Sequence, residues 1–452
     1  MRRILLCTLI LLALTLEPTA GACDPQCHSV CVQKQVTGQW LFHIPQQVIS
    51  RDFLQPSAIM QPSSQLRAPS LIQQYINKLL PSEDWTVQAL DIVSVNEGIV
   101  LVEVQRPEAP VAEEMLRKFK ETLDPQPNTL YFAQQSDPCV CSSPDPDPWF
   151  CNQWGLAAIN APAAWSALKG KNLNSVAVAV LDSGLGPGPD ASKEPELATI
   201  KLAGWDLVTG NEGKIPSDLT GHGTAVTGIL AAVHNQKKMS GVAGIPELAG
   251  TKDRLQILAV RVLDKHNKAT LADLYKGMEW AISKEAHIIN LSLGGCAPAK
   301  DLKKLIHKHP EVLFVASAGG DGCPLEKLPM YPAAYMLSPN REQNVLSVSA
   351  SQEYPPGLVD SSNCHASLSA PGTSIYTFDA SFGCNILPGG SSFAAPLVSG
   401  AAALILSKCN PKGAPKELGK NLAKCILESR RSSAPDAPLN ALAALQECCP
   451  SP

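Results

Sequence analysis

The sequence predicts an α/β protein: a parallel sheet flanked by helices on both faces, preceded by a smaller α/β unit. Three observations carry this expectation. Residues 176–181 form a continuous apolar run of strand length, and 255–262, 288–293, 312–316 and 345–349 are similar, the pattern of strands buried on both faces. Helical spacing of apolar residues falls between them, at 222–234, 271–283 and 301–309. A proline-rich passage at 136–149, containing Ser143-Pro144-Asp145-Pro146-Asp147-Pro148, divides these elements from what precedes them. Strands alternating with helices give a parallel sheet covered on each side. A chain of 452 residues with 45% hydrophobic content is long enough to bury such a core.

In chain order, the sequence opens on an export signal. Arg2-Arg3 precedes the apolar run 4–14, and Ala20-Gly21-Ala22 offers a small-residue cleavage site, so residues 1–22 read as a signal peptide. The remainder is expected to be secreted and free of the membrane once the signal is removed. No other stretch reaches the ~18 apolar residues of a span. A net charge of -4 gives no footing for nucleic acid, and a monomer is the expected state. Of 15 cysteines, Cys7 lies in the signal, leaving an even number on an exported chain, the composition of a disulfide framework. Cys23, Cys27 and Cys31 crowd the new N-terminus without a partnering His motif and read as a disulfide knot.

Residues 23–135 read as the small α/β unit, with a helix at 70–80, strands at 85–95 and 98–104, an amphipathic helix at 109–123 and a closing strand at 129–133. Residues 136–149 form the connector and 150–452 the larger domain. Within the latter, Thr270 followed by Asp273 marks a helix start. The tail carrying Cys409, Cys425, Cys448 and Cys449 reads as closing helices tied by disulfides.

The candidate chemistry sits at element boundaries. Asp182-Ser183-Gly184 ends the first core strand, where a parallel sheet gathers its active groups. Gly221-His222-Gly223-Thr224 opens a helix. Gly389-Gly390-Ser391-Ser392 precedes the apolar run 393–406, which places Ser392 at a helix N-terminus whose free N–H groups favour developing negative charge. Each residue alone has a structural explanation: a turn-capping Asp, a packed His, a helix-capping Ser. Together they supply a nucleophile, a base and an orienting carboxylate, in the chain order that subtilisins use.

These blocks, with Leu258-Ala259-Val260-Arg261-Val262-Leu263, Gly277-Met278-Glu279-Trp280-Ala281-Ile282 and Ile289-Asn290-Leu291-Ser292-Leu293-Gly294-Gly295, resemble a subtilisin-type serine peptidase, a subtilase, over residues 153–407. The resemblance implies a subtilisin-like sheet and an endopeptidase acting on peptide or protein substrates. Asp182, His222 and Ser392 would be catalytic, acting through an acyl-enzyme. It implies a peptide laid as a strand against Ser292, Leu293, Gly294 and Gly295 and against the segment that ends at Gly319 and Gly320. Glycines in that wall suggest a roomy pocket with a broad, apolar-leaning preference. It also implies that the 23–135 unit is a prosegment, assisting folding and then blocking the cleft as the chain's own inhibitor, with processing between 134 and 149.

Two departures stand out. Subtilases place an Asn where this chain has Gly320, within Ala316-Ser317-Ala318-Gly319-Gly320-Asp321-Gly322, and losing that oxyanion donor costs a subtilisin roughly a hundred- to a thousand-fold in kcat. Ala225 stands where a second His is common. No cofactor is required. Calcium is common in the family as a structural ion, and Asp190 after Pro189 is a weak candidate ligand, although Lys237-Lys238 in the 234–241 loop suit a hard cation poorly. Asn290-Leu291-Ser292 fits a glycosylation sequon inside a core strand, where modification is not expected. The alternative reading is a catalytically weak or inactive homologue that binds protein segments, with Gly320 in its favour.

Overall fold

The structure is a computed structural model. It describes residues 35–43, 86–94, 99–105, 126–133, 139–140 and 153–450, apart from 236, 252, 338–340, 354–355, 360, 388, 410–414 and 431. The expected signal peptide, Cys23, Cys27 and Cys31, the helices expected at 70–80 and 109–123 and most of the expected connector lie outside these residues.

A nine-stranded sheet forms the main body. Its order is Gly357–Leu358, Val345–Gln352, Leu313–Ser317, Ile288–Leu291, Val176–Asp182, Leu255–Arg261, Lys201–Asp206 and Asn211–Glu212, with Leu368–Pro371 also pairing on Val345–Gln352. The interior pairs are parallel, and only the two-residue edge strands run antiparallel. The alternation of a strand explains why its apolar runs are unbroken. Val176, Val178 and Val180 enter one hydrophobic cluster, while Ala179 and Leu181 enter the other, on the opposite face. The first cluster is organised by helix Ser391–Lys408, buried at every position from Ser391 to Ser407. That helix is long and apolar enough to cross a membrane, but it is enclosed by the protein. The second face carries helices Leu271–Ser283 and Lys300–Lys308. Thr270 caps the former: its hydroxyl accepts from Asp273 N at 3.1 Å and donates to the Asp273 carboxylate at 2.7 Å.

The N-terminal strands Gln35–His43, Thr86–Ser94, Ile99–Gln105 and Gln126–Ala133 form an antiparallel sheet that continues into the main body. Gln126–Ala133 pairs with Lys268–Thr270 and Leu293–Gly294. Leu41, Val93 and Ile99 share a cluster with Leu271, Tyr275 and Met278. Within the expected connector, Cys139–Val140 pairs antiparallel with Cys384–Leu387. The tail is helical at Leu418–Glu428 and Ala441–Cys448; the disulfide Cys425–Cys448 joins these two helices, and Cys409–Cys449 ties them to the end of the core helix.

One buried carboxylate opposes this packing. Glu196 is fully buried and neither oxygen has a well-formed hydrogen bond. Burial raises its pKa to about 7, with Asn235, Lys238 and Lys237 offsetting only part of the cost. A pKa raised above the unfolded value of 4.5 adds stability that is complete below 4.5 and is lost as pH rises through 7. Glu196→Gln removes the charge at every pH. It should raise the thermal midpoint at pH 8 and leave it nearly unchanged at pH 4.5. A lower midpoint at pH 8 would contradict this account.

Candidate active site

Asp182 ends the strand Val176–Asp182 at 1% exposure. One of its oxygens accepts from Ser183 N at 2.8 Å and meets His222 Nδ1 at 2.7 Å. His222 is the first residue of helix His222–Ala231 and is equally buried. Gly223 allows the approach: a Cβ there would meet the Gly184 carbonyl oxygen at 2.3 Å and Asp182 Cβ at 3.1 Å. With Nδ1 directed to the carboxylate, Nε2 is left as the second ring nitrogen, and among the described residues it has no hydrogen-bond partner.

Asp218 holds this pair from behind. Its buried carboxylate accepts from Ser183 Oγ (2.8 Å), Thr220 N (3.0 Å), Gly221 N (2.9 Å), Thr224 N (2.8 Å) and Thr224 Oγ1 (2.6 Å). Ser183 Oγ in turn accepts from Gly223 N at 2.9 Å. The sequence reading missed Asp218. Its signal was an Asp set two residues before a Thr and four before the His, a spacing that suits a turn feeding a helix N-terminus.

Ser392 occupies the second position of helix Ser391–Lys408 and is fully buried. Its hydroxyl donates to the Ser292 carbonyl at 3.0 Å, and the Ser292 hydroxyl donates to the Ser392 carbonyl at 2.7 Å. The structure therefore joins Asp182 to His222, and it turns the Ser392 hydroxyl to the peptide wall. His222 is held near this helix by Phe393, whose ring centroid lies 5.3 Å from the imidazole. A single χ1 rotation redirects a serine hydroxyl among three staggered positions. Asn290 donates to Ser292 Oγ at 3.0 Å and accepts from Ser399 Oγ at 2.9 Å, so its amide is engaged inside the core.

The wall Ser292–Gly295 is already paired with a peptide strand: Ala133 faces Leu293 and Phe132 faces Gly294. On its other edge this strand pairs with Lys268–Thr270, a strand that the sequence alone does not announce. Gly319 lies beside the serine turn, its N–H donating to Ser391 Oγ at 3.1 Å. Gly320 is exposed. The loop around it is fixed by buried Asn363, which donates to the Ala318 carbonyl at 3.0 Å and accepts from Asp321 N at 3.0 Å and Cys323 N at 3.1 Å. Burial pushes the Asp321 carboxyl up, with the Asn363 amide opposing. Ala225 is buried in the histidine helix, in keeping with a packing role.

Among the described residues, Asp190 belongs to no cluster of acidic groups that would hold calcium. Asp190 is exposed and ion-paired with Lys193 at 2.6 Å. The orphaned Glu196 carboxylate lies in the field of Lys237 and Lys238. Among the described residues, no group of three or more His, Cys, Asp or Glu gathers to hold a metal.

Burial disfavours a charged His222, but Asp182, through its charge and its hydrogen bond, outweighs that cost, and Asp218 adds to it. The pKa is raised above the ordinary His value. In a Ser392→Ala background, Asp182→Asn and Asp218→Asn should each lower the His222 pKa followed by imidazole NMR, the former by more. An unchanged titration in Asp218→Asn would show that Asp218 does not act on the imidazole.

Comparison with known proteins agrees with this geometry. The model of the subtilase family matches residues 174–441, more than half of the chain. Thermitase of Thermoactinomyces vulgaris is 32% identical over 267 residues, 58% of this chain and 85% of that protein. Subtilisin BL of Lederbergia lenta is 32% identical over 270 residues, 57% of this chain and 85% of that protein. Minor extracellular protease Epr of Bacillus subtilis (strain 168) is 35% identical over 227 residues, 49% of this chain but only 30% of Epr. Together with the sheet and its Asp–His pair, these matches place the chain in the subtilase family of serine-type endopeptidases.

Proposed function

We propose that the chain is an exported endopeptidase made as a zymogen, with Ser392 as nucleophile, His222 as general base and acid, and Asp182 as the orienting carboxylate. The observation that carries this reading is a peptide strand seated on the wall whose Ser292 carbonyl holds the Ser392 hydroxyl. In the reaction, Ser392 Oγ turns to His222 Nε2 and gives it a proton as the Oγ–carbon bond forms. The imidazolium, stabilised by Asp182, then protonates the leaving amine as the peptide C–N bond breaks. Water, deprotonated by the same ring, hydrolyses the acyl-enzyme. The Ser392 N–H at the helix start donates to the oxyanion.

The seated strand Gln126–Ala133 is then the end of an inhibitory prosegment, 23–135, whose cleft-blocking pose also supports peptide or protein substrates for the mature enzyme. Processing falls between 134 and 149. Secretion is supported by the leader-like N-terminus and by the extracellular relative. A monomer and an apolar-leaning preference complete the reading.

Gly320 and the turned Ser392 hydroxyl favour a second reading, a weak or inactive homologue that captures protein segments. Self-cleavage separates the two. The purified full chain should cut itself and yield a mature N-terminus between 134 and 149 by N-terminal sequencing, and Ser392→Ala should abolish the cut. Persistence of the cut in that variant would assign processing to another protease. A folded chain that never cuts itself supports the binding reading. Restoring the missing donor with Gly320→Asn should raise kcat by roughly tenfold or more. No gain would mean that another group already serves the oxyanion.

A further inference from the structure

We propose, resting on the peptidase reading above, that Met330 floors the pocket for the residue whose carbonyl is attacked and restricts that residue to short side chains. Ala133 faces Leu293 and Phe132 faces Gly294, so a substrate continuing this antiparallel register sets its next residue opposite Ser292. The Ser292 carbonyl receives the Ser392 hydroxyl at 3.0 Å, which makes that residue the one at the nucleophile. Facing residues in an antiparallel pair project to the same side of the sheet, and so do residues two apart along a strand. The attacked residue therefore sends its side chain to the face on which a side chain at Gly294 would stand.

Met330 occupies that face. A Cβ at Gly294 would meet Met330 Cγ at 2.6 Å and Sδ at 2.9 Å. A second register agrees. Tyr331 exchanges backbone hydrogen bonds with Gly295, at 2.9 and 2.7 Å, and this bridge turns residues 330 and 294 to one side. Met330 is 6% exposed, and its carbonyl accepts from Ala334 N at 2.7 Å at the entry to a short helical turn, so the residue is anchored as well as packed. The glycine in the wall thus makes room for a thioether, and a thioether standing on that face favours short side chains such as Ala or Ser. An aromatic residue would have to push Met330 from a filled site, and overpacking of that kind is unfavourable. The chain's specificity is accordingly narrower than a broad apolar preference.

The test uses two internally quenched peptides, identical except for Ala or Phe at the attacked position, with the matured enzyme and its Met330→Gly and Met330→Ala variants. Wild type should prefer Ala. Both variants should shift the kcat/KM ratio towards Phe by about tenfold or more, the scale on which apolar pockets discriminate size. Cooperative melting identifies the variants that fold. An unchanged ratio in a folded variant would overturn the pocket assignment while leaving the peptidase reading intact. A folded wild type that hydrolyses neither peptide would overturn the peptidase reading and the pocket with it.

Discussion

A carboxylate taken out of water must find a partner or lose its charge, and that constraint organises the site. Asp182 stands at 1% exposure at the end of a strand buried on both faces, and His222 is the group that meets it. The pair dictates where helix His222–Ala231 begins, why glycine follows the histidine, and why a second carboxylate, Asp218, gathers the turn before the helix into one set of hydrogen bonds. Such a pair leaves one imidazole nitrogen uncommitted, which is what a general base requires.

The serine is fixed by a separate device. Ser292 and Ser392 exchange hydroxyl-to-carbonyl hydrogen bonds across 100 positions of sequence, so the segment 292–295 is tied directly to the N-terminus of the core helix. Asn290 and Ser399 repeat the link deeper in the core. The strand proposed to receive substrate and the helix proposed to carry the nucleophile are therefore joined to each other. In the proposed reaction a peptide set in register on the wall meets the serine turn, and a rotation of the Ser392 hydroxyl from the Ser292 carbonyl towards His222 completes the arrangement.

Much of this was legible in the sequence, for a physical reason. Strands buried on both faces leave unbroken apolar runs, and helix Leu271–Ser283 announces itself with its own cap, so these elements were visible from residue type alone. Helix His222–Ala231 ends earlier than its apolar pattern. Beyond it Ala232 and His234 turn their backbones to Gly241 and Gly244 in an extended run, a tertiary choice that no local pattern records. Strand Lys201–Asp206 is half-exposed near the sheet edge and lacks the buried signature, and Lys268–Thr270 becomes a strand only by pairing with Gln126–Ala133. Asp182, His222 and Ser392 were readable because their flanking glycines and apolar runs place them at element ends. Asp218, Asn363 and Met330 were not, since each is defined by what it touches across the fold.

In the proposed reaction Ser392 is activated by His222. The most direct measurement is the pH dependence of phosphonylation of the matured chain by a fluorophosphonate, with the modified residue located by mass spectrometry. Label on Ser392 alone is predicted, at a rate that rises as a group with a pKa above the ordinary His value loses its proton. Label elsewhere, or a folded chain that takes none at any pH, would contradict the account.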